Sequence, residues 1–268
     1  MILNKEKQFV QIRELVASKP KICLLLPTYN NGQTLAQVID NVLEFAPSVT
    51  VVNDGSTDNT KEILKRYEGK IEVIEYEKNR GKGYALSRGF DHAEQSGYTH
   101  VITIDTDGQH YASDIPLFIK AARENPDILA VGNRNLSQDN MPPKNTFANK
   151  FSNFWFTLQT AQRLPDTQTG FRLYPLQKMK RLRPVTSRYE AELEILVRCA
   201  WRKIKIQSIP IQVFYAPQGE RVTHFRPVAD FARISVLNAI FVLLAVVYGY
   251  PSMGIRFFWN CVCKTLFL

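Results

Sequence analysis

Apolar and polar positions along the chain follow two alternating periods. Residues 21–27 (KICLLLP) form an apolar run closed by a proline, and 33–45 place apolar residues at helical spacing. Residues 48–53 are short and β-branched, 61–67 are helical, 70–76 (KIEVIEY) alternate like a strand, and 84–95 are helical again. Residues 99–105 (THVITID) are β-branched, 115–124 are helical, and 127–133 form another apolar run. This order predicts βαβαβαβαβ, an α/β fold whose mainly parallel central sheet carries helices on both faces. The second half is less regular: a polar loop with two prolines over 133–145, helices over 147–163 and 189–202, and a strand over 205–214. From 228 a helix runs into IFVLLAVVY (240–248).

That last helix bears on location. Between Arg233 and Pro251 lie 17 residues, interrupted by Ser235 and Asn238, where a membrane span wants about 20 apolar residues. The pattern predicts an apolar, amphipathic tail lying in or against a bilayer interface. Phe257, Phe258, Trp259, Leu266 and Phe267 extend it with interfacial aromatics. The alternative is packing on the core or against a second copy, which would make a homo-oligomer. The chain is therefore read as an amphipathic helix (1–18), a main domain (19–227) and a membrane-associating helical segment (228–268).

Composition narrows the class. The 268 residues are 45% hydrophobic and 22% charged, which excludes wholesale disorder. Cys23, Cys199, Cys261 and Cys263 include no C-x-x-C pair, so neither a zinc ribbon nor a disulfide scaffold is expected. The N-terminus lacks the apolar core of a signal peptide, and a cytosolic location is expected. A net charge of +9 suits anionic partners without choosing among them. The acid-free stretch 172–188, with Lys178, Lys180, Arg181 and Arg183, would suit anionic headgroups or plain solvent.

Open sheets of this kind bind ligands beyond the carboxyl ends of their strands, and the residues expected there look chemical. Asp105 and Asp107 follow the fourth strand in IDTDGQH. Two carboxylates at that spacing can share a hard cation, Mg²⁺ or Mn²⁺, with Gln109 and His110 completing or orienting the shell. The plain alternative is an Asp-Gly turn. Asp54 ends the second strand in VVNDGSTDNT and can accept hydrogen bonds from a base or sugar. NRGKG (79–83) puts two glycines and two cations before a helix, a phosphate-contact pattern but neither a Walker loop nor a dinucleotide fingerprint. Glu190 and Glu192 open a helix, where its dipole also favours acids. Arg221, His224 and Arg226 precede the apolar helix, and arginines there can grip a phosphate.

In order, P-x-Y-N-N (27–31), V-N-D-G-S (52–56), N-R-G-K-G (79–83), D-x-D-G-Q-H (105–110), G-N-R (132–134) and D-x-x-x-G-F-R (166–172) resemble a family-2 glycosyltransferase of the GT-A fold. The similarity is to the branch holding dolichyl-phosphate mannose synthase and polyprenyl-phosphate glycosyltransferases. The resemblance implies that Pro27, Tyr29, Asn30 and Asp54 line the nucleotide-base pocket and that Asn79 and Gly81 border the nucleoside. It implies that Asp105 and Asp107, assisted by Gln109, place Mg²⁺ or Mn²⁺ on the donor diphosphate, and that Arg134 meets a phosphate. Asp166, Gly170 and Arg172 would shape the acceptor side, with His224 and Arg226 beside them and Arg221 as the basic residue that closes over the site.

The implied reaction is inverting transfer from a UDP- or GDP-sugar to a polyprenyl phosphate at the cytoplasmic face of the membrane. A sugar hydroxyl acceptor, with Glu190 or Glu192 as base, is the alternative. A membrane-surface or nucleic-acid-binding protein without turnover is a third reading. Nucleic acid is disfavoured as a partner because acids cluster at the ligand edge, where phosphates repel them.

Overall fold

The computed structural model describes residues 20–46, 48–134, 143–214 and 227–254, with side chains from 148 and from 231 in the last two segments. The first helix predicted over 1–18, the centre of the 133–145 loop and the aromatic tail lie outside the described residues.

Seven strands form one sheet in the order β3-β2-β1-β4-β6-β5-β7. They are β1 (Ile22–Thr28), β2 (Val49–Asn53), β3 (Glu72–Glu75), β4 (His100–Thr103), β5 (Leu129–Arg134), β6 (Arg172–Pro175) and β7 (Ile206–Ile211). The helices are α1 (Leu35–Phe45), α2 (Thr60–Lys65), α3 (Lys82–Gln95), α4 (Ile115–Glu124), α5 (Pro143–Thr160), α6 (Glu190–Trp201), α7 (Pro227–Leu244) and α8 (Tyr250–Met253). All pairings are parallel except those of β6, which runs antiparallel between β4 and β5.

β1 reads as an unbroken apolar run because it is buried on both faces. Ile22, Leu24 and Leu26 enter one core with Leu35, Ile39, Ile115 and Phe118. Cys23 and Leu25 enter the other with Leu86, Phe90, Leu196 and Phe241. The period of two thus feeds both helix layers from one strand.

The structure adds to the sequence-based expectations at three places. β6 was not expected as a strand: RLYP is short and opens on a charge, yet all four residues are buried. The C-terminal helix starts where expected, at Pro227, and runs on past Pro251. Residues Phe231–Met253 form 23 continuous helical residues, long and apolar enough to cross a membrane, with 22% of the most apolar stretch buried. Asn238 does not interrupt it, because Gln159 Nε2 donates to Asn238 Oδ1 at 2.9 Å. Pro251 is accommodated by a wider π-turn over Ala245–Gly249, a usual place to absorb a missing amide. The basic stretch is not uniformly free either, since Arg183 is bound to Asp91 and Glu94 and Lys178 to Asp127.

Candidate active site

The carboxyl ends of β1, β2, β4 and β5 meet one rim. Because β6 is antiparallel, with Thr103 paired to Arg172, the loop leading into it arrives at that rim as well. The first turns of α3 and α6 complete the enclosure.

Asp54 is buried beyond β2. Its Oδ1 accepts the Arg80 amide at 2.7 Å and its Oδ2 the Gly81 amide at 2.8 Å. Burial raises its carboxyl above the usual range against these bonds. Gly81 holds φ +96°, a value that side chains other than glycine rarely adopt, and a Cβ there would collide with the Ser187 carbonyl. Asp54 therefore fastens the 79–81 segment to the rim. The neighbouring loop is tied across it: the Thr57 amide donates to Asn30 Oδ1 at 2.8 Å and the Asn30 amide to Ser56 Oγ at 3.0 Å. Tyr29 and Asn79 are half-buried on the same rim, whereas Pro27 is buried within β1. The Pro27 carbonyl accepts the Thr106 hydroxyl at 3.3 Å.

Thr106, the middle residue of the D-T-D run, is buried. Its hydroxyl also receives Asn31 Nδ2 at 2.8 Å, and its carbonyl receives the Thr34 hydroxyl at 2.6 Å. With Thr106 fixed inward, its flanking aspartates turn to the rim. Asp105 Oδ1 lies 2.7 Å from Lys82 Nζ, and the same ammonium lies 2.8 Å from Glu192 Oε2. Burial would raise Asp105, but Lys82 and then His110 outweigh it and hold the carboxyl below its ordinary value. Asp107, next to that charge, is pushed up to about 6 by burial and then by Asp105. Its Oδ1 accepts the Gln109 amide at 3.0 Å. Gly170 abuts Asp105 so closely that a Cβ would run into the carboxylate. His110 is brought down to about 4, first by burial, and its ring packs edge-on to Phe171.

Arg134 at the end of β5 forms a two-pronged pair with Asp166, Nε to Oδ2 at 2.6 Å and Nη2 to Oδ1 at 3.0 Å. Asn149 adds a bond to Asp166 Oδ1 at 2.6 Å. Burial opposes the Asp166 charge, yet the Arg134 bonds hold its carboxyl below the ordinary range. The Asp166 side chain is wholly buried and holds Arg134 by both oxygens. Arg172 is likewise buried, donating to the carbonyls of Thr169, Thr167 and Glu192 at 2.7–2.9 Å. It knits the 167–169 loop, on the side the motif assigns to the acceptor, to α6. Glu192 is engaged by Lys82, while Glu190 Oε2 is buried without a hydrogen-bond partner. Arg221, His224 and Arg226 lie outside the described residues. At the rim the Phe214 amide donates to the Gln109 carbonyl at 2.8 Å.

Sequence reasoning missed Lys82 as an individual, and the signal was present. A lysine at the first position of a helix faces the positive end of the dipole, a placement that calls for nearby carboxylates. Asn149 carried no such signal.

Among the described residues no three His, Cys, Asp or Glu side chains converge as a ready metal cage. Asp105 and Asp107 both stand half-buried at the rim, on either side of the buried Thr106. That donor set suits Mg²⁺ or Mn²⁺ bound through one or two carboxylates plus substrate phosphates.

Residues 23–182 match the family model for glycosyl transferase family 2. The uncharacterised protein MJ1222 of Methanocaldococcus jannaschii is 30% identical over 78% of this chain and 87% of its own length. The UDP-N-acetylglucosamine–dolichyl-phosphate N-acetylglucosaminyltransferase of Methanococcus voltae is 28% identical over 72% and 86%. The glucosyl-3-phosphoglycerate synthase of Mycobacterium tuberculosis, solved with Mn²⁺, UDP-glucose and phosphoglyceric acid, superimposes with a TM-score of 0.62 at 17% identity, over 92% of this chain and 84% of that one. The last match shows the shared GT-A-like fold.

Proposed function

The chain belongs to glycosyl transferase family 2 and is a glycosyltransferase, and on that premise we propose that it moves a sugar, with inversion, from a UDP- or GDP-sugar to a polyprenyl phosphate in the cytoplasmic face of a membrane. The observation that carries the acceptor class is the helix Phe231–Met253. From Ile234 to Met253 it has no charged residue, and Val236, Ile240, Leu243 and Val247 are exposed. It packs on α5, where Phe231 meets Phe151, and on the last residue of α6, where Phe241 meets Trp201. A helix with an exposed apolar face joined to the catalytic domain suits an acceptor delivered from a bilayer. Relatives such as the dolichyl-phosphate enzyme from Methanococcus voltae support the same class.

Asp105 and Asp107 would hold Mg²⁺ or Mn²⁺, which when bound neutralises charge on the departing diphosphate. Asp54 and the 79–81 segment it fixes would form the wall against which the nucleoside rests. Arg134, aimed by Asp166, would meet a phosphate through charge-assisted bonds. The acceptor phosphate oxygen attacks the anomeric carbon as the bond to the diphosphate breaks on the opposite face. That oxygen is anionic at neutral pH and needs no base, which fits a Glu192 already engaged by Lys82.

One observation favours the second reading, a hydroxyl acceptor: the unpartnered, buried Glu190 Oε2 is an acceptor available to take a proton. Nucleoside diphosphate release by the full chain, across UDP- and GDP-sugars with and without polyprenyl phosphate in vesicles, separates the two. Release that requires lipid phosphate and survives Glu190→Gln is expected. Release that ignores lipid phosphate, requires a sugar hydroxyl and is lost in Glu190→Gln would replace the first reading with the second.

A further inference from the structure

Lys82 stands where a cation is least comfortable, as the first residue of α3, with a side chain only 16% exposed. Its ammonium lies within ion-pair distance of two carboxylates, Asp105 Oδ1 at 2.7 Å and Glu192 Oε2 at 2.8 Å. It is a fixed positive charge shared between a carboxylate of the rim and one of α6. Gly170 stands close to the Asp105 carboxylate, where an added Cβ would fall 2.2 Å from one oxygen and 2.5 Å from the other.

A divalent cation on Asp105 and Asp107 must therefore share Asp105 with an ammonium 2.7 Å from it. Like charges that close, in a half-buried site, repel strongly. A diphosphate arriving with the cation supplies the negative charge that relieves this crowding. Glu192 offers the ammonium a second anchor at 2.8 Å, so Lys82 can release Asp105 without being stranded.

We propose that Lys82 competes with the divalent cation for Asp105, so that the chain takes up the cation together with the nucleoside diphosphate rather than before it, while Glu192 retains the lysine. This makes Lys82 a positioning residue that sets the order of assembly. The inference rests on the reading of Asp105 and Asp107 as the cation's ligands.

Mn²⁺ binding by the full chain, without turnover, tests it. Free Mn²⁺ is followed by electron paramagnetic resonance with no nucleotide, with UDP and with GDP, for wild type, Lys82→Met and Lys82→Arg. Wild type and Lys82→Arg should bind Mn²⁺ weakly alone and much more tightly with one of the nucleotides. Lys82→Met should bind Mn²⁺ alone about tenfold more tightly than wild type, shrinking the gain from nucleotide. Lys82→Gln is read in the same way if the methionine variant does not fold. A folded Lys82→Met or Lys82→Gln that binds Mn²⁺ alone no better than wild type overturns the competition. So does wild type that binds Mn²⁺ equally well with and without nucleotide, although the metal reading then stands. Failure of wild type to take up Mn²⁺ under any of these conditions removes the metal reading and this inference with it.

Discussion

Two carboxylates at the rim, Asp54 beyond β2 and Asp105 beyond β4, are restrained by opposite means. Asp54 is gripped by two backbone amides, which cannot leave without moving the 79–81 segment. Asp105 is gripped by an ammonium on a flexible stem that has a second carboxylate to hold. One side of the site is built as a rigid wall and the other as a seat whose occupant can change. Residues of one chemical type thus divide into scaffold and working parts according to what binds them.

The sharpest way to break this contrast is to neutralise each acid in turn. Asp105→Asn should lower turnover by about a thousandfold, the order seen when a charge-stabilising group is removed, with little loss of thermal stability. Asp54→Asn should do more harm to the fold. One of its two amide partners would face an NH₂ group, and a buried unsatisfied donor costs about 1–3 kcal/mol. Turnover assays beside denaturant melts check both, and equal stability losses in the two variants would erase the distinction.

A smaller effect is expected from Gly170→Ala, which disturbs Asp105 without altering any charge. Displacing that carboxylate by a fraction of an ångström should reduce turnover roughly tenfold to a hundredfold. Wild-type rates in this variant would show that Asp105 tolerates movement.

The mildest test concerns pH. Asp166 has its carboxyl held below the ordinary value by Arg134 despite burial. A carboxyl lowered on folding adds stability above its unfolded value, near about 4, and loses it as pH falls from there toward the lowered native one. Denaturant midpoints should therefore drop more steeply below about pH 4 in wild type than in Asp166→Asn. Parallel curves would mean that the Arg134–Asp166 pair contributes nothing to the fold.

Much of the first half was legible because its physics is local. A strand buried on both faces must be apolar throughout, so 21–27 announces β1 almost to the residue. The polar residues Asp54, Asp105 and Asp107 stand out because they end such runs. β6 was illegible because its first residue, Arg172, is charged yet buried, and what makes this tolerable is three carbonyls supplied by Thr167, Thr169 and Glu192. The partnership of Arg134 with Asp166 bridges 32 positions, which no periodicity records. The motif names Asp166 and Arg172 but not the partners that bury them, Arg134 and Asn149 for the first and three carbonyls for the second.

The reversed strand β6 also has a bearing on how the molecule is made. Thr103 at the end of β4 donates to the Gly170 carbonyl, a partner 67 positions further along. At about 5–20 residues per second, a ribosome needs roughly 3 to 13 seconds to supply it. During that interval β4 presents an unpaired flank to the crowded cell, the kind of border onto which a foreign strand can graft itself. Slowing translation between the two segments should lengthen that exposure, and a chaperone that shields the β4 flank would be most useful then.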